Sequence, residues 1–271
     1  MKQVVLIILF LFAQYVVFGS SVDTVSIYSN SMQKKLNCVV IKPSSYKKQK
    51  AFSVVYLLHG YDGNYSNWII KVPSLKKQAD ELNILIVCPD GGFSSWYFDS
   101  PLDSTSQYES YITKELVPYV DANFSTKASS NSRAITGLSM GGHGALYLAI
   151  RHSDIFGAAG STSGGFDFRP FPKSWNLQNL LGAYETNKER WYDYTVMRQV
   201  ELLTNKQLAI VFDCGVDDIF IAVNRALHEK LLTLKIDHDY IERSGGHNHA
   251  YWRNSIDFQM LFFYQFFQKN K

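Results

Sequence analysis

Cysteine is scarce: the 271 residues hold three, Cys38, Cys88 and Cys214. An odd count leaves at least one thiol free, and three thiols cannot build the disulfide framework of a small secreted scaffold. They lack zinc-site spacing. Each stands beside an apolar strand-like run, where free cysteine packs as a small hydrophobe. A dominant charge is missing as well. The 27 basic and 24 acidic residues leave +3, too weak a field to steer the chain to nucleic acid. With 46% hydrophobic and 19% charged residues the composition excludes disorder, and the length suffices for one packed core. There is no internal repeat, no low-complexity linker and no sign of an appended binding domain. The cluster Lys47, Lys48 and Lys50 beside Ser44 and Ser45 reads as a solvated loop.

The longest apolar run opens the chain. Lys2 supplies a positive start, residues 4–12 are continuously apolar, and Gly19, Ser20 and Ser21 follow. That is the layout of a secretory signal peptide. The alternative, a membrane anchor, is cut short at Gln14, below the ~20 apolar residues of a spanning helix. Cleavage within 19–21 is expected. Residues 21–271 then form a single exported domain, periplasmic or extracellular, with no stable membrane insertion. No cysteine near the cleavage region calls for a lipid anchor.

Beyond the leader, β-rich runs alternate with helical ones. Strands are expected at 25–28 and 37–41, as a hairpin, then at 53–58, 84–88, 134–138, 155–161, 208–214 and 239–242. Helices are expected at 73–82, 108–124, 141–152, 223–234 and 252–268. Continuous β-branched runs belong to strands buried on both faces, and their alternation with helices implies an α/β protein with a mostly parallel, doubly covered sheet. Residues 166–204 break the rhythm. Phe166, Phe168, Phe171, Trp175, Trp191, Tyr192 and Tyr194 are expected to lie over the sheet's carboxyl edge as an insertion walling an apolar or aromatic substrate. For any single ring, ordinary packing weighs equally.

Chemistry concentrates at Gly137-Leu138-Ser139-Met140-Gly141, placed between a strand and a helix as a nucleophile elbow requires. The sharp turn strains the serine backbone, and side chains two residues either side would collide, so both flanking positions want no Cβ. The following helix aims its first N–H groups at a developing anion. A tight packing turn is the plainer reading. A nucleophilic serine needs a base. His247, in Gly245-Gly246-His247 after the last strand, fits best. His249 is a second candidate, and His-x-His as a metal pair lacks a third ligand. His143, His152, His228 and His238 fall on helices or loops and read as packed or surface groups. The partner acid belongs after strand 208–214, where Asp213, Asp217 and Asp218 compete; Asp213 alternatively braces the loop. An oxyanion hole needs two N–H donors: Met140, and one from the loop His59-Gly60-Tyr61-Asp62-Gly63-Asn64, with Tyr61 first and Gly60 second. His59 itself reads as a hydrogen-bonding organiser of that loop.

These pieces, in this order, resemble the esterase D-type branch of the α/β-hydrolases, which includes S-formylglutathione hydrolases, feruloyl, acetylxylan and tributyrin-type esterases and mycolyltransferases. The resemblance spans residues 26–267. It rests on Tyr56-Leu57-Leu58-His59-Gly60 with Trp68, Pro89-Asp90-Gly91-Gly92 with Ser95-Trp96-Tyr97, and the elbow followed by Gly142. Asp213-Cys214-Gly215-Val216-Asp217-Asp218 and Gly245-Gly246-His247 with Trp252 complete it. It implies an α/β-hydrolase fold and places the acid on Asp218. The family's usual Gly-Gly-His-x-Trp has His249 in place of its Trp. The expected function is an exported serine ester hydrolase acting through Ser139, His247 and Asp218, with Met140 and Tyr61 at the oxyanion and no metal or organic cofactor. Export argues against a glutathione thioester, so the expected substrates are small-molecule or oligosaccharide esters, feruloyl or acetyl groups on plant polysaccharide foremost. An acyltransferase on the same scaffold and an inactive glycan-binding fold are the rivals. Asn64-Tyr65-Ser66 and Asn123-Phe124-Ser125 are formal glycosylation sequons.

Overall fold

A computed structural model describes residues 19–47 and 50–270. The leader expected at 1–20 lies almost wholly outside them, as does Lys48; Lys47 and Lys50 are exposed. The chain first pairs at β1 (Ser21–Ser29) and β2 (Lys34–Lys42). These form the antiparallel hairpin foreseen, with Ser21 opposite Lys42 and Ser29 opposite Lys34. β1 alternates exposed and covered residues, the pattern of an edge strand with one wet face.

Six further strands follow: β3 (Val54–Leu58), β4 (Leu85–Pro89), β5 (Arg133–Gly137), β6 (Ala158–Thr162), β7 (Ala209–Gly215) and β8 (Asp239–Arg243). Every residue of β3 to β6 is buried, which only a sheet covered on both faces permits. The sheet order is β1-β2-β4-β3-β5-β6-β7-β8. β2 meets both its neighbours antiparallel, and every other pairing is parallel.

Helices supply the cover. α1 (Asn67–Lys71) and α2 (Leu75–Leu82) follow β3. α3 (Tyr108–Ser110) passes through a π-helical turn (Tyr111–Leu116) into α4 (Val117–Asn123). Pro118, the second residue of α4, has no N–H to give the preceding turn, and a widened turn at such a point is one accommodation of that loss. α5 (Met140–Arg151) follows β5. The 166–204 region holds three short helices, α6 (Leu177–Leu181), α7 (Lys188–Asp193) and α8 (Val196–Gln199); α9 (Ile221–Thr233) and α10 (His249–Lys269) complete the chain. α10 places Trp252, Ile256, Met260 and Phe263 on one face of the sheet together with Val55, Leu57 and Ile86. The other face carries α5, α9 and the rings of the 166–204 region. Against the elements foreseen, α1 and the short helices α6, α7 and α8 are additions, the 108–124 helix is interrupted, and the strand expected at 155–161 runs instead over Ala158–Thr162. Among the described residues, no helix is long and apolar enough to cross a membrane.

Parallel strands all end on one edge, and that edge is where an open α/β sheet places its ligands. β3, β5, β7 and β8 lead there into the loop at Tyr61, the turn at Ser139, the turn at Asp218 and the loop at His247.

Candidate active site

Ser139 stands between β5 and α5 with φ 55° and ψ −117°, a left-handed backbone that costs a non-glycine residue of order 1–3 kcal/mol and persists only where its surroundings impose it. They do so here by close approach. A Cβ at Gly137 would come within 2.5 Å of the Gly141 carbonyl oxygen and 2.7 Å of that of Leu58; one at Gly141 would meet the Leu58 and His59 carbonyl oxygens at 2.5 Å. Only glycine lets β3, β5 and α5 meet this tightly, and the turn lifts the serine hydroxyl to the sheet edge.

Ser139 Oγ donates to His247 Nε2 at 2.9 Å. His247 Nδ1–H faces both Asp218 carboxylate oxygens at 3.0 Å. Asp218 is buried and also accepts the Phe220 N–H at 2.8 Å, so its carboxylate is fixed from two sides. The His247 ring is held edge-on against Phe220 and Trp252, at 5.3 and 4.9 Å between centroids. The three side chains therefore form one hydrogen-bonded chain. A carboxylate on Nδ1–H leaves the lone pair on Nε2, the nitrogen facing the hydroxyl.

The other acidic residues are engaged elsewhere. Asp217 is exposed; its backbone N–H donates to the Gly245 carbonyl at 2.9 Å and holds the two loops together. Asp213 is buried at the end of β7. Its carboxylate accepts from Ser255 Oγ at 2.6 Å, Gln259 Nε2 at 2.7 Å and Thr162 Oγ1 at 3.0 Å, fastening α10 to the sheet. Burial pushes its pKa upward, against those hydrogen bonds.

Met140 follows the serine directly and Tyr61 lines the space beside it, so both N–H groups belong to the turns around Ser139. Neither donates to another described residue, and Met140 is the first residue of α5, where the N–H has no intrahelical acceptor. The Tyr61 loop is organised by His59. Its Nδ1–H donates to the Gly60 carbonyl at 2.8 Å, and its Nε2 accepts the Gly91 N–H at 2.7 Å. The ring is buried, and burial lowers its pKa. It is thus a neutral tie between two loops. Trp68 Nε1 donates to the Leu58 carbonyl at 2.8 Å, which anchors α1 beside the loop.

A pocket of about 210 Å³ opens over the serine, lined by Tyr61, Asn67, Trp68, Leu138, Trp175, Ile219, His249 and Trp252 besides His247 and Ser139. This corrects the expectation of a wall of seven insertion aromatics: Trp175 alone of the seven lines this pocket. Phe166, Phe168 and Trp191 are fully buried. Phe171 packs against Trp175 and Phe220, Tyr194 against Phe98, and Tyr192 under Arg169. Asn67 and Ile219 were not foreseen, since nothing in their neighbourhoods marks them. The remaining histidines are structural: His143 sits between the Trp96 and Tyr194 carbonyls, His152 on Glu109, and His228 against His238.

Strand order, elbow and edge define the fold of the α/β-hydrolases. The Esterase family model matches residues 29–263, and the chain belongs to that family. It is 28% identical to Esterase Rv1288 of Mycobacterium tuberculosis over 235 residues, covering 77% of this chain but 51% of that protein; the chain thus spans about half the length of that curated relative. An acetyl esterase of Caldicellulosiruptor saccharolyticus is 26% identical over 259 residues, covering 86% of this chain and 94% of the relative. Among solved structures, a ferulic acid esterase superposes with TM-score 0.79 at 27% identity, covering 92% of this chain and 99% of the other.

Proposed function

We propose that the protein is an exported serine esterase that releases acetyl or feruloyl groups from plant polysaccharide esters. The observation that carries this reading is the hydrogen-bonded chain from Ser139 through His247 to Asp218 at the base of a pocket. Similarity to an acetyl esterase and a ferulic acid esterase supports the acyl class, and the layout of residues 1–20 supports export.

In this mechanism Ser139 Oγ attacks the ester carbonyl as His247 Nε2 takes its proton. Asp218 holds the ring and stabilises the imidazolium. The carbonyl oxygen becomes an oxyanion between the N–H groups of Met140 and Tyr61. Collapse breaks the bond to the alcohol, which leaves with the proton from His247. Water then attacks the acyl-enzyme, His247 again taking and returning one proton, and the free acid departs.

The test is a panel of acetyl, butyryl and feruloyl esters, free and on xylan oligosaccharides, with Ser139→Ala as control. Hydrolysis is expected to fall by about three orders of magnitude or more in the variant. Full activity in Ser139→Ala would reject the assignment. Acceptor-dependent formation of new ester in place of free acid would move the reading to an acyltransferase.

A further inference from the structure

The pocket is not uniform. Trp175, Ile219 and Leu138 make one part apolar. Asn67, the first residue of α1, and His249, the first of α10, bring two polar side chains into the same space. Among the described residues neither the Asn67 amide nor the His249 imidazole has a hydrogen-bond partner, and His249 Nδ1 is buried without one. Both side chains border the same pocket. Lys71, one turn beyond Asn67, is near enough to His249 to help depress its pKa, after burial itself and ahead of Arg253. The imidazole is thus held neutral, and with Nδ1 sealed from solvent it is Nε2 that a ligand can reach, as donor or acceptor according to the tautomer. Its ring stands edge-on to the Trp252 indole at 4.8 Å, as His247 does at 4.9 Å. Both rings thus pack against one indole, His247 being held in addition by its side-chain hydrogen bonds.

Both side chains border space that a substrate would fill, so a group seated there must match what they offer. A carbonyl alone would use the donors and leave the lone pairs idle, whereas a hydroxyl both donates and accepts. It matches a neutral imidazole and a carboxamide, each of which also does both. Resting on the esterase reading, we propose that Asn67 and His249 form a hydroxyl-recognition subsite, and that the protein selects esters carrying a hydroxyl group on the part seated against α1 and α10.

The experiment measures kcat and KM of the full chain on two matched pairs. Methyl 4-hydroxycinnamate against methyl cinnamate places the hydroxyl on the acyl side. The monoacetate of cyclohexane-1,2-diol against cyclohexyl acetate places it on the alcohol side. In one pair the hydroxylated ester is expected to be favoured by about tenfold or more in kcat/KM, and which pair identifies the side bound. His249→Phe and Asn67→Leu should each reduce that ratio through KM, and His249→Gln should retain most of it. Fluorophosphonate labelling of Ser139 in each variant verifies that the site has folded. A wild-type ratio near one in both pairs overturns the subsite while leaving the esterase reading intact, because the plain esters are still hydrolysed. Ratios unchanged in both His249→Phe and Asn67→Leu also overturn it. A wild type inert towards all four esters and unlabelled by fluorophosphonate removes the esterase reading and the subsite together.

Discussion

His143 offers a prediction in which two physical effects compete over the sign. Its ring is fully buried one turn into α5. Trp96, Phe98, Tyr147 and Phe168 surround it, Tyr147 stacked at 5.5 Å and the others edge-on or tilted. Nδ1 lies 3.1 Å from the Trp96 carbonyl and Nε2 3.0 Å from that of Tyr194. Two carbonyls favour the imidazolium, which alone has two N–H groups. The apolar box favours the neutral ring, and it wins: burial pushes the pKa down to about 4. The unfolded chain's histidine titrates near 6.5. On acidification through that value the unfolded state takes up a proton that the native state refuses, so stability is lost as pH falls towards 4. At pH 5 the penalty is about 2 kcal/mol, against roughly 0.2 at pH 7. Urea unfolding of the wild type and His143→Gln at both pH values isolates it, since more distant titrations act on both proteins alike. The wild type should lose about 2 kcal/mol more than the variant between pH 7 and pH 5. An unchanged difference, or a wild type that gains on the variant at pH 5, would show that the carbonyl pair prevails and would refute the argument from burial.

Three further outcomes follow from the site. Asp218→Asn should lower kcat by about 10³–10⁴-fold by freeing the His247 tautomer, whereas exposed Asp217→Asn should change ester hydrolysis by less than about twofold; equal effects would reverse the choice of acid. Gly137→Ala forces a Cβ to 2.5 Å from the Gly141 carbonyl oxygen, so Tm should fall in step with a loss of about 1–3 kcal/mol, and an unshifted thermal scan would contradict the tight approach of β5 and α5. His59→Ala leaves the Gly91 N–H without its acceptor and unties the Tyr61 loop. A stability loss of about 1–3 kcal/mol should come with a larger fall in kcat than rise in KM, and a change confined to KM would argue that the loop acts only in binding.

How much of this was legible from residue order depended on the kind of physics involved. The buried strands were readable because continuous runs such as Val54 to Leu58 have no other stable home in an α/β protein. α1 was not, being five residues long with a single buried side chain, Trp68. The interruption within 108–124 was hidden because helical periodicity survives a single widened turn. The elbow was legible since glycine spacing reports a steric constraint local in sequence. Choosing among Asp213, Asp217 and Asp218 was beyond local pattern. One carboxylate points into the sheet, one into solvent and one towards His247, and the direction depends on how the β7 turn meets Gly245. The insertion misled for a related reason: aromatic content says that rings will be buried, not against what.

The network around Asp213 couples the closing helix to the sheet edge. Two of that carboxylate's partners, Ser255 and Gln259, belong to α10, and the loop bearing His247 leads directly into that helix. A buried carboxylate outside the chain of Ser139, His247 and Asp218 thus sets where the imidazole stands, because any slippage of α10 along β7 would carry the ring with it.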